Sequence, residues 1–121
     1  MNEPDGLAHE LVGTTTVIRL VGDVDMTNAD GLQARAEQLC AGAQAVVVDL
    51  EATTYLDSAG IRLLDAITRS CGVRGIPLAA LLSSGSIVRR VVELTLPTLD
   101  LIDDVHSWAA TRPVADQGEG P

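Results

Sequence analysis

The chain has 121 residues, enough for one domain with a real core, carries a formal net charge of −9, and draws all eight of its basic residues from arginine. That balance argues against nucleic acid and anionic membranes as partners, which need clustered Lys and Arg, and the missing lysine removes a Walker-type phosphate loop and a Schiff-base mechanism. No segment approaches the ~18 consecutive apolar residues of a membrane span, and "MNEPDG" is acidic where a secretory signal would be basic and apolar, so a cytoplasmic location is expected.

"LAHELVG" (7–13) and "TTVIRLVG" (15–22) read as two short strands turning at Gly13-Thr14, close enough for an antiparallel hairpin. "DVDMTNAD" is polar and turn-like, and Thr27 or Asn28 can cap a helix with Leu32, Ala36 and Leu39/Cys40 on its apolar face and Gly42 as its stop. "AVVVDL" (45–50) is a β-branched apolar run, as expected of a strand covered on both faces of a parallel sheet. "EATTYLDSAG" reads as a linker into a second helix, with Ile61, Leu64, Ile67 and Cys71 inward and Arg62, Asp65 and Arg69 outward; Gly72 and Gly75 bracket the turn after it.

"IPLAALL" (76–82) is another buried strand. "SSGS" then caps a third helix with Ile87, Val88, Val91 and Leu94 assigned inward and Arg89, Arg90 and Glu93 outward, stopped by Pro97. "LDLIDD" holds a short edge strand and "DVHSWAATR" a last helix anchored by Trp108. Residues 1–6 are expected to be a flexible N-terminus, 7–112 the folded domain and 113–121 a disordered polar tail. Alternating strands and helices define the fold class as α/β: a mixed sheet of four to five strands packed with about four helices.

In open sheets of this kind sites gather where strands lead into helices, which singles out "GDVD" (22–25) and "TTYLDSAG" (53–60). Asp57 and Ser58 are both good helix caps. A Ser58 nucleophile lacks its setting: Leu56 stands where a hydrolase elbow needs Gly, and the one downstream histidine, His106, falls in the last helix. Ser58 also suits phosphorylation, since a phosphate at a helix N-terminus meets N–H donors and the positive dipole end and would add roughly two negative charges to an acidic surface. Asp23 and Asp25, two apart, would point the same way in extended chain; a solvated turn with Asx hydrogen bonds is favoured over a divalent-metal site. Thr53 and Thr54 read as solvated loop threonines. Cys40 and Cys71 read as reduced core residues, and with His9 and His106 isolated no metal site is assigned.

These residues carry a resemblance. "VIRLVGDVD", "AVVVDLEATTYLDSAGIRLL", "GIPLAAL" and "SGSIVRRVVELTLPTLDLI" together resemble the STAS domain of bacterial anti-sigma factor antagonists over about residues 7–110. "LTLPT" departs from the Thr-Gly that many members carry near the end of the third helix, and Tyr55 stands where aliphatic residues or Phe are commoner. The resemblance implies no catalysis and no cofactor. It implies binding to an anti-sigma factor that is itself a GHKL-type serine kinase, phosphorylation on Ser58 that breaks the complex, and a serine phosphatase that restores it. The implied partner surface is Asp23, Asp25, Thr27, Asn28, Asp57, Ser58, Ala59 and Arg62. A second expectation keeps the fold and changes the role, to a constitutive STAS subunit of a stress-sensing complex or of a lipid or anion transport system. A third, from another class, is a small-molecule or nucleotide-binding domain with the loop ends as a phosphate cradle, which the acidic site and the missing lysine count against.

Overall fold

The computed structural model describes residues 3–111, so the expected tail at 113–121 lies outside the described residues. Leu7–Val12 (β1) and Thr15–Leu20 (β2) form the antiparallel hairpin, in register from Leu7 opposite Leu20 to Val12 opposite Thr15. Gly13 turns it at φ 63°, a left-handed conformation that L side chains resist.

After β2 the sequence expectation fails. Gly22–Val24 is a strand (β3), pairing in parallel with Thr53–Leu56 (β5), so two segments read as loop and linker form a separate two-stranded ribbon. The ribbon has no apolar alternation to announce it, because its short strands bury only one residue in β3, Val24, and the end residues of β5, Thr53 and Leu56. Thr53, read as a solvated loop residue, is buried and donates its hydroxyl to the Leu20 carbonyl at 2.7 Å.

Between the two ribbon strands come the helix Ala29–Ala41 (α1) and the strand Ala45–Asp49 (β4); Ser58–Arg74 (α2) follows the ribbon. Gly72 lies inside α2 rather than in the turn beyond it. Gly75 ends the helix at φ 71°, with the Ile76 N–H reaching back to the Cys71 carbonyl at 2.9 Å. Leu78–Leu81 (β6), Ile87–Thr95 (α3), Leu101–Ile102 (β7) and Val105–Thr111 (α4) complete the order.

The main sheet runs β1-β2-β4-β6-β7, mixed as expected: antiparallel at the hairpin and parallel from β2 onward. Every residue of the central β4 is buried. One face carries α1, α2 and α3, whose Leu32, Cys40, Leu63, Leu64, Ile67, Cys71, Val88 and Val92 close over Ile18, Leu20, Val46, Val48, Ala80 and Leu82. The other face is covered by α4, with Val105 and Trp108 against Val17, Val47 and Ala79. The neighbouring Cys71 thiol and then burial push the Cys40 thiol up, and both cysteines are free and buried.

The inward face of α3 differs from the expectation. Val88 and Val92 are its buried residues, while Ile87 and Leu94 are exposed and Val91 is half-buried. Five apolar positions within eight residues form two overlapping helical stripes, and the core takes the one containing Val88 and Val92.

One charged side chain is buried beside the hairpin. Asp49 accepts from Arg19 Nε at 3.0 Å and from the Glu51 N–H at 2.9 Å, and Arg19 also reaches Glu10 at 3.3 Å. Arg19→Met removes the cation and leaves the carboxylate short of a donor. We expect a loss of about 1 kcal/mol in urea unfolding, discounted because the arginine side chain is partly solvated. Unchanged stability would mean that Asp49 is held by its backbone donor alone.

Candidate functional site

The site begins with the cap of α2. Asp57 is the N-cap in extended conformation, and its Oδ1 accepts the Ala59 and Gly60 N–H groups at 2.8 and 3.1 Å. Its Oδ2 accepts the Met26 N–H at 3.3 Å. One carboxylate therefore ties the start of α2 to the loop between β3 and α1. Ser58 is the first helical residue; it is exposed, and its hydroxyl takes no part in the cap. Arg62 is exposed one turn further on, at the i,i+4 spacing that makes helix residues neighbours.

Ala59 and Gly60, which follow the serine, are buried, and Ala59 is only 8% exposed. A Cβ on Gly60 would lie 2.8 Å from the Val24 carbonyl oxygen and 2.9 Å from Leu56 Cδ2. The helix start thus rests directly on the β3–β5 ribbon, with no room for a side chain at position 60. The ribbon, missed in the sequence, is what gives the motif glycine its reason.

The acidic loop is built from its own hydrogen bonds. Asp25 Oδ1 accepts the Thr27 hydroxyl at 2.6 Å and the Thr27 N–H at 2.9 Å. Asn28 occupies the N-cap position of α1 but does not cap it with its side chain. Its amide oxygen accepts the Asp25 N–H at 3.0 Å and its amide nitrogen donates to the Asp23 carbonyl at 2.8 Å. Asp23 instead accepts the Thr54 hydroxyl across the ribbon at 2.7 Å. The carboxylates of Asp23 and Asp25 are thus held by different donors, one across the ribbon and one within its own loop, and Asp25 forms the expected Asx turn.

The Thr27 hydroxyl, with the Thr27 and Asn28 backbone donors behind it, holds the Asp25 carboxyl below the usual carboxylate range. A carboxyl depressed in the folded state favours folding above its unfolded pKa, and that contribution is lost as pH falls through the folded value. Carbon-13 NMR titration should show Asp25 protonating at lower pH than an ordinary aspartate, and Thr27→Val should return it upward. A midpoint that does not move in Thr27→Val would remove the hydroxyl as the cause.

The structure therefore brings Asp23, Asp25, Thr27, Asn28, Asp57 and Ser58 to one corner, with Arg62 beside it and Ala59 beneath. His106 is on α4, on the opposite face of the sheet from α2, where it shares a cleft with Glu10, Arg19 and Asp49. His106 is thus not placed to activate Ser58. Sequence reasoning missed Met26, whose backbone is the link to Asp57. Its one signal was its position between Asp25 and Thr27.

A mixed five-stranded sheet, helices on both faces and a helix opening on an aspartate-capped serine define an α/β domain. The STAS domain family model matches residues 7–103, and the chain belongs to that family. Among solved structures, an anti-sigma factor antagonist from Mycobacterium paratuberculosis is 24% identical with TM-score 0.76, covering 88% of this chain and 93% of that one. The anti-sigma factor antagonist SpoIIAA in its unphosphorylated form is 21% identical with TM-score 0.64, covering 93% and 99%. The Bacillus SpoIIAA in its phosphorylated form is 20% identical with TM-score 0.65, covering 88% and 99%. At these identities the likeness is one of fold. No curated protein matches the chain.

Proposed function

We propose that this chain is an anti-sigma factor antagonist that works as a cytoplasmic phosphorylation switch without catalysis of its own. Unphosphorylated, it binds an anti-sigma factor of the GHKL serine-kinase type and so frees a sigma factor. The kinase transfers the γ-phosphoryl group of ATP to Ser58 Oγ and releases the product, and a serine phosphatase resets the cycle. The observation that carries this reading is Ser58 itself: exposed, first in its helix, and left outside the cap that Asp57 makes. Similarity in fold to a protein solved in both phosphorylation states supports it.

The cap also says what a phosphate would do. Two of the helix-end N–H groups that could receive it are already taken by Asp57. The phosphate would therefore stay on the surface beside Asp57, Asp23 and Asp25, with Arg62 as its near cation. Added charge of this kind leaves the fold in place and repels or displaces whatever had docked on the acidic corner.

The test is incubation of the full chain with GHKL-type serine kinases and ATP, read by mass spectrometry. Phosphate is expected on Ser58 and absent from Ser58→Ala. Phosphate on another residue, or none with any kinase that binds the chain, overturns the switch. Capture of a transport protein or a large stress complex, insensitive to Ser58→Glu, would establish the constitutive role instead.

A further inference from the structure

Four large apolar side chains stand exposed on neighbouring elements: Met26 at 77%, Tyr55 at 53%, Ile87 at 82% and Leu94 at 74%. They are connected through named contacts. The Met26 backbone bonds to Asp57, two residues beyond Tyr55, and Tyr55 lies opposite Asp23 in the ribbon. The strand that carries Tyr55 packs against α3.

The helical positions of α3 separate its flanks. Val88 and Val92 point into the core. On one flank Arg89 donates to the Leu82 carbonyl at 2.7 Å and lines the cleft with Leu101 and Trp108, toward β7 and α4. Ile87, Val91 and Leu94, spaced i, i+4, i+7, lie off the Arg89 flank, away from β7, on a helix that packs against β5. An apolar ridge left in water beside a cluster of carboxylates marks an interaction surface.

We propose that the docking face of the switch extends from the Ser58 corner across Tyr55 onto the outer flank of α3. The partner surface it fits is an apolar pocket rimmed by Lys and Arg. The inference rests on the reading of Ser58 as the switch. Charge complementarity selects this occupant: Asp23, Asp25 and Asp57 frame the Ser58 end, and the chain offers no lysine of its own. The two parts of the face do different work. The ridge supplies desolvated anchors, as aromatic and aliphatic residues do at interface centres, and the acidic corner supplies orientation and sensitivity to phosphate.

The test uses the full chain and the GHKL-type kinase that phosphorylates it, with affinity measured by isothermal titration calorimetry. The double variant Ile87→Ser/Leu94→Gln is expected to bind at least about tenfold more weakly, since truncating a buried anchor typically costs that much. Val73→Ser, equally exposed but in the last turn of α2, should bind as the parent does. Tyr55→Ser is measured in parallel and should also weaken binding, and thermal unfolding of each variant identifies any that fails to fold.

Equal affinity of the folded ridge variants and the parent overturns the inference while leaving the Ser58 switch intact. Equal binding of parent and Ser58→Glu overturns the switch and this inference with it. A parent dimer in light scattering that the double variant abolishes would assign the ridge to a second copy of the chain and overturn the partner proposed here.

Discussion

Gly60→Ala is expected to destabilise the protein by about 2–3 kcal/mol in urea unfolding, although alanine is the better helix former by about 1 kcal/mol. The reason is the approach of α2 to the ribbon. The new Cβ would lie 2.8 Å from the Val24 carbonyl oxygen, which is backbone and cannot swing aside, and 2.9 Å from Leu56 Cδ2. Relief requires the first turn of α2 to lift, and that turn carries Ser58 and the Asp57 cap. Displaced Met26 and Ala59 amide resonances should accompany the loss of stability. Gly72→Ala is the internal comparison: it lies in the same helix with nothing within 4 Å of its Cβ position. There the propensity gain should stand alone, a stabilisation of about 0.5–1 kcal/mol. Two glycine-to-alanine changes in one helix with opposite signs would isolate the contact. Matching signs would remove the close approach as its cause.

Ser58→Glu is expected to weaken binding to the proposed anti-sigma kinase partner about a hundredfold, or about 2.7 kcal/mol, while changing unfolding stability by less than about 0.5 kcal/mol. Fold and binding should separate because the residue is exposed at the first helical position, where an acidic side chain is favourable to the helix dipole but adjoins the Asp57 carboxylate. Ser58→Ala should bind as the parent does and accept no phosphate. Calorimetry on the three proteins decides it, and a glutamate variant that binds undiminished would end the case for charge as the switch.

Much of the framework was legible because its signals are local. The hairpin follows from two strand-like runs around Gly13, β4 from an unbroken β-branched run, and α2 from apolar spacing behind Asp57. The Asp57-Ser58 pair was legible as a helix start, but the division of labour was not. Both residues are acceptable caps by type, and only the backbone geometry assigns the cap to Asp57 and leaves the serine outside it.

By itself the sequence determined an acidic, lysine-free α/β domain, the order of its main elements and the residues of its candidate site. These depend on periodicity, turn residues and charge, which act over a few positions. Only the tertiary structure decided the β3–β5 ribbon, the burial of Thr53, the need for glycine at position 60 and the inward face of α3. The ribbon joins segments about thirty residues apart through backbone hydrogen bonds that side-chain pattern does not encode. The glycine answers to a carbonyl on a strand that local pattern does not reveal. In α3, apolar residues at 87, 88, 91, 92 and 94 satisfy two stripes equally, and the stripe buried is set by what the helix meets.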